Sequence, residues 1–256
     1  MKTHDHLGFT VKSSTIYNHV FIPKYYNPEI REQLTALEQT HELILLGDAI
    51  QQRLVKVSTG DEIGKMSYGT GTIPFIRTSD ISNWEIKTDP KQGVSNTIYA
   101  EYANKQDLQP NDILFVRDGT YLVGASCIVT KADTKALYQS HILKFRVLPK
   151  APFSSPLLLA LLSAPLVRKQ IRAKQFTADI IDSIGNRYME LVLPIPKDLE
   201  IRSRIEQDIL AIVQSRVKLR EQLRQIPLWS QGIIPNVSAI IPGQEEQFEL
   251  PGNLGF

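Results

Sequence analysis

The residue types that could do chemistry are scattered along the chain, and their spacing matches no catalytic motif. The glycine-rich segment Gly69-Thr70-Gly71-Thr72-Ile73-Pro74 places a proline where a dinucleotide-binding turn needs its third glycine. No Lys-Ser/Thr pair follows this segment, so it is not a P-loop, and a hairpin loop is the simpler interpretation. The sequence also contains no Gly-x-Ser-x-Gly nucleophile elbow.

Metal-ligating and acidic residues give no better site. The histidines lack the two-His helix motif of a zinc site, and the single cysteine, Cys127, excludes both a disulfide framework and a cysteine-built zinc site. Asp80, Asp112 and Asp118 could form an acidic site, but Asp112 follows Pro-Asn, where its carboxylate tends to bond the local backbone. We therefore expect neither catalytic residues nor a metal in this chain.

Composition indicates an ordinary globular protein. The chain has 256 residues, of which 42% are hydrophobic, and a net charge of +2. The opening MKTHDHLGFTVKSS lacks the apolar core of a signal peptide, and the apolar run Leu157–Leu162 is too short to span a membrane. We expect a cytoplasmic protein without membrane contact. Residues 151–225 carry 12 Lys/Arg against 8 Asp/Glu, a mild basic bias that is compatible with nucleic-acid contact.

The periodicity predicts an α/β (α+β) fold. Short β-rich runs, such as Ile73–Arg77 and Ile113–Val116, alternate with turn residues between positions 43 and 147. A pair of short helices then begins at Pro156 and Pro165. Asp198 is a candidate N-cap for a long amphipathic helix that we expect to end at Pro227.

Three segments resemble the specificity subunits of Type I restriction–modification systems. They are IPFIRTSDISNWEI (residues 73–86), PNDILFVRDGTYLVGASCIV (110–129) and LPIPKDLEIRSRIEQDILAIVQSRVKLREQL (193–223). The lead-in YYNPEIREQL…ELILLGDAI (25–50) is similar as well. The chain departs from the family pattern at Asn111, where the family has glycine, and at Pro194–Asp198, where the family has a glutamine-containing helix entry. Because a complete member has two recognition domains and two helices, this chain resembles half a subunit.

The resemblance implies a domain organisation and a division of labour. Residues 1–197 would form a β-rich target recognition domain, 198–226 a spacer helix that pairs as a coiled coil, and 227–256 a C-terminal tail. The chain would be non-catalytic, bind double-stranded DNA and direct a partner methyltransferase (modification) subunit and, where one exists, a restriction/translocase subunit. The S-adenosylmethionine cofactor would belong to the methyltransferase, and this chain would hold none.

The polar loops would then supply the DNA contacts, because base edges are read by side chains with fixed donors and acceptors on a rigid body. The candidate base readers are Lys65, Tyr68, Thr70, Thr72, Arg77, Ser79, Asp80, Asn83, Arg117, Asp118, Thr120, Tyr121, Gln139 and His141. The candidate phosphate contacts are Arg168, Lys169, Arg172 and Lys174. The alternative is that these loops and this basic helix are simply solvated. We expect Trp84 to pack in the core.

An isolated long helix cannot hide its apolar stripe on itself. A half-subunit would pair through that stripe with its own copy, which gives a homodimer and a bipartite target. The stripe residues are Ile201, Ile205, Ile209, Ile212, Leu219, Leu223 and Ile226. The helix could instead fold back on its own domain. Two further functions stay open, namely the DNA-recognition part of a related phage-defence methyltransferase and an assembly scaffold that binds no DNA.

Overall fold

The structure is a computed structural model that describes residues 8–16, 20–87, 89–119, 121–178 and 181–230. The chain divides into two compact units, Met1–Arg216 and Val217–Phe256. The α-helices of the described part are α1 (Pro28–Leu37), α2 (Leu46–Gln51), α3 (Asn96–Gln106), α4 (Ser155–Ser163), α5 (Pro165–Lys174) and α6 (Leu199–Ser230). The strands are β1 (His41–Leu45), β2 (Val55–Thr59), β3 (Ile73–Ile76), β4 (Ile81–Ser82), β5 (Glu85–Ile86), β6 (Gly93–Val94), β7 (Ile113–Val116), β8 (Ser126–Ile128), β9 (Leu137–Tyr138), β10 (Ile142–Val147), β11 (Phe176–Ala178), β12 (Ile181–Ser183) and β13 (Val192–Pro196).

This architecture confirms the predicted fold class, a β-rich body with short helices followed by one long helix. The Asp198 carboxylate caps α6 as predicted, since its Oδ1 accepts from the backbone N–H groups of Glu200 (2.8 Å) and Ile201 (3.2 Å). The helix continues past its predicted end at Pro227 to Ser230. Most of the predicted tail, residues 231–256, lies outside the described residues. Among the described helices, none is both long and apolar enough to cross a membrane.

The body is built on an antiparallel sheet in the order β2-β10-β7-β8. Alternate side chains of β7 point to opposite faces, with Ile113 and Phe115 on one and Leu114 and Val116 on the other, and all four are buried. A strand buried on both faces has no polar positions, which explains the unbroken ILFV sequence.

Three apolar clusters fill the spaces between the layers of the body. The first lies between the central sheet and the helix pair α4–α5, and includes Phe145 and Leu158. The second lies between the other face of the sheet and the parallel pair β3–β9, and includes Ile76 and Tyr138. The third joins β3 and β6 to α3, where Ile98 packs near Phe75. Helix α3, capped by Ser95, was not predicted from the sequence.

A buried glutamine connects α3 to strand β9. Gln106, at the last position of α3, donates from Nε2 to the carbonyl oxygen of Tyr138 (3.0 Å), and its Oε1 accepts from the Tyr138 N–H (2.8 Å). The same Nε2 lies 3.0 Å from Oδ2 of Asp61. The Asp61 N–H donates to the same carbonyl oxygen (3.2 Å), so that Gln106 and Asp61 together satisfy the backbone groups of Tyr138 that face away from β3.

A second polar network sits where β7 begins. Arg146 binds the Asp112 carboxylate (Nε to Oδ1, 2.7 Å) and the Asp107 carboxylate (Nη1 to Oδ2, 2.7 Å). The buried Lys144 ammonium donates to the carbonyl oxygens of Gln106 and Asp107 at the end of α3, and burial lowers its pKa. Asp112 also accepts from the N–H of Gln109 (2.8 Å), which confirms its predicted role in the local turn.

The first half of α6 packs against the β-rich body of the same chain. Ile209 is buried in the first apolar cluster, and Ile205 and Val213 pack against that cluster. Arg202 donates to the carbonyl oxygens of Pro196 and Pro152. The apolar residues predicted to form one stripe therefore lie on two faces of α6. Ile205 and Ile209 are on the inner face, which packs against the body. The other stripe positions are exposed, namely Ile201, Ile212, Leu219, Leu223 and Ile226.

We predict that Gln106→Leu lowers the free energy of unfolding by roughly 3 kcal/mol, because it leaves the buried Tyr138 N–H unpaired and removes one hydrogen bond each from the Tyr138 carbonyl oxygen and the Asp61 carboxylate. Chemical denaturation monitored by circular dichroism would measure this change. The matched control is Gln33→Leu, since Gln33 is exposed and bonds Glu29 on its own helix, and there a change below about 0.5 kcal/mol is expected. Equal losses in the two variants would contradict the role given to Gln106.

Candidate nucleic-acid interface

Strand register brings several polar loops to one edge of the body. The antiparallel pairs place the end of β7 (Val116) beside the start of β10 (Ile142), and Thr59 at the end of β2 beside Leu143. The parallel pair β3–β9 places Ile76 beside Tyr138. The segments that continue from these points are 60–62, 77–80, 117–119, 121–125 and 139–141. We call this set of segments, together with residues 182–183, the loop edge.

The Asp118 carboxylate is the centre of the loop edge. Its Oδ2 accepts from Nε of Arg117 (2.9 Å) and lies 3.1 Å from Nδ1 of His141. Its Oδ1 accepts from the Ser183 hydroxyl, and the backbones of Asp118 and Ser183 are paired as well. Asp118, Arg117 and His141, three of the predicted site residues, are therefore in direct contact.

The environment of Asp118 favours its ionised form. Burial raises the pKa of the carboxyl group, but the hydrogen bonds from Ser183, Arg117 and His141 outweigh burial and hold the pKa below its ordinary value. A carboxylate that stays charged in this position fixes the side chains that donate to it. Arg117 is also bound through Nη2 to the carbonyl oxygen of Ser140 (3.3 Å), so its guanidinium is oriented before any ligand arrives.

Glu62 extends this cluster on the side of His141. Its Oε1 accepts from the Ser140 hydroxyl and lies 3.9 Å from Nε2 of His141. The imidazole thus stands between two carboxylates, while Gln139 lies half-buried in a backbone bridge to Asp61. The sequence did not indicate Glu62 or Ser183, because neither belongs to a recognisable motif.

Several other predicted readers have structural roles. Asp80 is fully buried, and its Oδ2 accepts from the N–H of Arg77 (2.9 Å) within the turn Thr78–Asp80. This geometry makes Asp80 a turn cap and removes it from the candidate readers. The Thr70 hydroxyl donates to the carbonyl oxygen of Ser67 (2.8 Å), and the Tyr68 ring packs 5.5 Å from the Phe75 ring.

The remaining predicted readers differ in exposure. Arg77 and Ser79 are half-buried at the loop edge. Lys65, Thr72, Asn83 and Tyr121 are exposed, with Asn83 at the tip of the β4–β5 hairpin, and Thr120 lies outside the described residues. Trp84 donates from Nε1 to the Ser163 hydroxyl (2.7 Å) and packs against the first apolar cluster, as expected.

The basic helix α5 has two kinds of cation. Lys169 lies 2.6 Å from the Glu29 carboxylate, and Lys174 lies 2.8 Å from the Glu190 carboxylate and 4.4 Å from the centre of the Tyr25 ring. These two ammonium groups are already paired within the chain.

Arg168 and Arg172 have no such carboxylate partner among the described ion pairs. Arg172 is exposed, and burial together with the charge of Arg172 lowers the pKa of Arg168. Of the four residues predicted to contact phosphate, only these two arginines lack a carboxylate partner in the part of α5 described.

Arg187, which sequence reasoning missed, lies between α5 and the loop edge. Its guanidinium stacks 4.0 Å from the centre of the Phe176 ring and donates to the carbonyl oxygens of Lys174 (2.7 Å) and Ser183 (3.0 Å). The loop edge and the neighbouring helix thus present several cations, and one of them, Arg117, is bound to the partly buried Asp118 carboxylate. Within the described residues, no group of three or more His, Cys, Asp or Glu side chains is arranged to hold a metal ion.

Comparison with known proteins finds similar solved structures, whereas no family model and no curated protein matches. The HsdS subunit from Thermoanaerobacter tengcongensis is 16% identical over 78% of this chain, with a TM-score of 0.42. The Type I restriction–modification S subunit from M. genitalium is 12% identical over 79%, with a TM-score of 0.47. A structure described as the basis of complex assembly and conformational transition of the type I R-M system is 14% identical over 79%, with a TM-score of 0.43. This chain spans 47–50% of those chains, about half their length.

We predict that Asp118→Asn lowers the free energy of unfolding at pH 7 by roughly 2 kcal/mol, because it removes a partly buried, charged acceptor of three side-chain hydrogen bonds. The pKa of Asp118 is lower in the folded chain than the value of about 3.9 in the unfolded chain. The stabilisation is therefore complete well above pH 4 and is lost as the pH falls through the folded pKa.

Urea denaturation of both proteins from pH 7 down to pH 3 would measure this difference. Asp208→Asn, at an exposed position of α6, is the control, with an expected change below about 0.5 kcal/mol. A difference between wild type and Asp118→Asn that does not change with pH would contradict the ionic role of this carboxylate.

Proposed function

We propose that this chain is the sequence-specific DNA-recognition (specificity) subunit of a Type I restriction–modification system. The observation that carries the proposal is the Arg117–Asp118–His141 cluster at the loop edge. Base readout needs donors that are held in fixed positions on a rigid body, and Arg117 is bound on two sides before DNA arrives. The order of the three sequence segments that resemble this family supports the same function.

The loop edge divides into readers and supports. Arg117, His141, Gln139 and Tyr121 are the readers, and Asp118 orients the first two of them. An arginine held by a carboxylate and a carbonyl oxygen keeps N–H groups that can donate to guanine O6 and N7 in the major groove.

Phosphate binding is assigned to helix α5. Arg168 and Arg172 are one helical turn apart, so that both can contact the same DNA backbone. Lys169 and Lys174 hold the helix to Glu29 and Glu190 instead.

The proposed assembly is a homodimer formed through the outer face of α6. The exposed apolar residues Ile212, Leu219 and Leu223 would pair with those of a second copy, which would place two recognition domains on a bipartite target. The dimer would direct an adenine methyltransferase, which holds the S-adenosylmethionine, and a nuclease where one exists. The chain itself would do no chemistry.

We predict that Arg117→Ala weakens binding to a cognate duplex by about 1–3 kcal/mol and binding to scrambled DNA much less. The double variant Arg168→Ala/Arg172→Ala should weaken binding to both duplexes and reduce the salt slope by about one to two units, because fewer counterions are released. Titrations of both duplexes at two salt concentrations would separate these effects.

The control is Lys131→Ala. Lys131 is an exposed cation that follows β8, and β8 ends beside the start of β7, at the edge opposite the loops. This variant should bind like wild type. Equal losses on cognate and scrambled DNA in Arg117→Ala would show that Arg117 does not read bases.

We predict that Ile212→Glu/Leu219→Glu converts the dimer into a monomer, because both side chains are exposed in the single chain, at 40% and 58%, and charges there disrupt an apolar interface. The control is Gln207→Glu/Gln214→Glu, which changes two exposed positions on a helix face outside the apolar stripe and should stay dimeric. Analytical ultracentrifugation would measure both. A wild type that sediments as a monomer, or a double variant that remains a dimer, would exclude the proposed interface.

A further inference from the structure

Tyr121 points out of an otherwise anchored turn. Its side chain is 92% exposed, whereas Val123 is buried in the first apolar cluster and Leu122 packs against the second. The turn is closed by hydrogen bonds from the N–H of Gly124 to the carbonyl oxygen of Val116 (2.8 Å) and from the N–H of Ala125 to that of Leu122 (2.7 Å). Leu122 and Val123 pack inward and fix this turn, so that the Tyr121 ring is exposed.

Cations surround this turn. The backbone of Gly124 lies so close to α5 that a Cβ atom there would be 2.9 Å from Nη1 of Arg168, and the φ of +82° at this position also favours glycine. Arg172 follows one helical turn after Arg168, and Arg117 is fixed at the start of the same loop by Asp118. The turn that carries Tyr121 therefore lies beside the two arginines of α5, and the ion pair of Arg117 and Asp118 stands at the start of its loop.

Met66 offers an informative comparison. Its side chain is also 92% exposed, in the short turn Lys65–Ser67. That turn carries one cation, Lys65, and follows the exposed carboxylate of Glu62. An exposed apolar side chain is common on protein surfaces, so exposure alone does not distinguish these residues. The difference is that a helix with the arginines Arg168 and Arg172 packs beside the turn of Tyr121.

We infer that the Tyr121 ring stacks against bases of the target DNA and opens one base step, while Arg168 and Arg172 hold the adjoining phosphates. This inference rests on the proposed function and specifies how one of its readers works. Aromatic rings stack on bases of any type, and side chains wedged between base pairs unstack and kink the duplex. The interaction needs the ring and not the hydroxyl group.

The test begins with the full chain and a pool of random-sequence duplexes, from which a bound sequence is enriched. The enriched duplex is then labelled with 2-aminopurine at each adenine in turn and treated with permanganate, which attacks unstacked thymines. Wild type, Tyr121→Ala, Tyr121→Phe and Met66→Ala are compared for affinity and for these two signals. Because Tyr121 and Met66 are exposed, their replacement removes no buried contact, and equal melting temperatures would verify this.

We expect wild type to raise the fluorescence or the permanganate reactivity at one step of the duplex. Tyr121→Ala should abolish this signal and weaken binding about ten-fold, whereas Tyr121→Phe and Met66→Ala should retain both the signal and the affinity. The inference is overturned if Tyr121→Phe behaves like Tyr121→Ala, if Tyr121→Ala keeps the signal, or if wild type binds without opening any step. If the chain enriches no duplex at all, the proposed function itself is contradicted. That result differs from binding without base opening, which contradicts only the role of Tyr121.

Discussion

The bond between the Gln106 amide and the backbone of Tyr138 is the contact on which the loop edge depends. Strand β9 has only two residues, and β3 pairs with one side of it. On the other side, the N–H of Asp61 donates to the carbonyl oxygen of Tyr138 (3.2 Å), but without Gln106 the buried Tyr138 N–H would be unpaired, at a cost of about 1–3 kcal/mol. From the end of a helix, Gln106 accepts from this N–H and donates to the same carbonyl oxygen, and so it fixes the strand from which Gln139 to His141 continue.

The same device occurs a second time. Gln170 of α5 donates from Nε2 to the carbonyl oxygen of Val192 (2.8 Å), and its Oε1 accepts from the N–H of Val192 (2.8 Å). Each glutamine is almost completely buried and joins a helix to a strand. The helix with Arg168 and Arg172 is therefore held in register with β13 in the way that α3 is held to β9. The loop edge and helix α5, which carry the candidate DNA contacts, are thus each positioned by a buried glutamine that has a structural role.

The sequence predicted the elements whose local signals agree with their packing. The structure has the predicted element at each of these signals: the ILFV run of β7, the prolines that begin α4 and α5, and the Asp198 cap of α6. Helix α3 was missed because its apolar residues, among them Ile98 and Tyr102, are few and face a small third cluster. Its identity as a helix depends on that tertiary contact and on Ser95 more than on a strong stripe.

The candidate site was harder to predict because similar local sequences have different surroundings. Asp80 and Asp118 both follow an arginine in a polar loop, but Asp80 is enclosed in its own turn, whereas Asp118 reaches His141 and Ser183 across the fold. Likewise, the lysines of α5 meet Glu29 and Glu190, which are distant in sequence. Such pairings follow from strand register and helix docking, which composition and periodicity do not encode.

The polar network of Asp112, Lys144 and Arg146 lies where β7 begins, and the polar loops follow the opposite end of the same strands. One end of these strands thus carries the ionic bonds that stabilise the body, and the other end carries the polar loops. Replacing an exposed side chain of these loops, such as Tyr121, would leave the buried ionic bonds and the apolar layers untouched. A lineage built on this body could therefore diversify its loop surface rapidly by point mutation or by exchange of short segments, while selection acted on folding elsewhere.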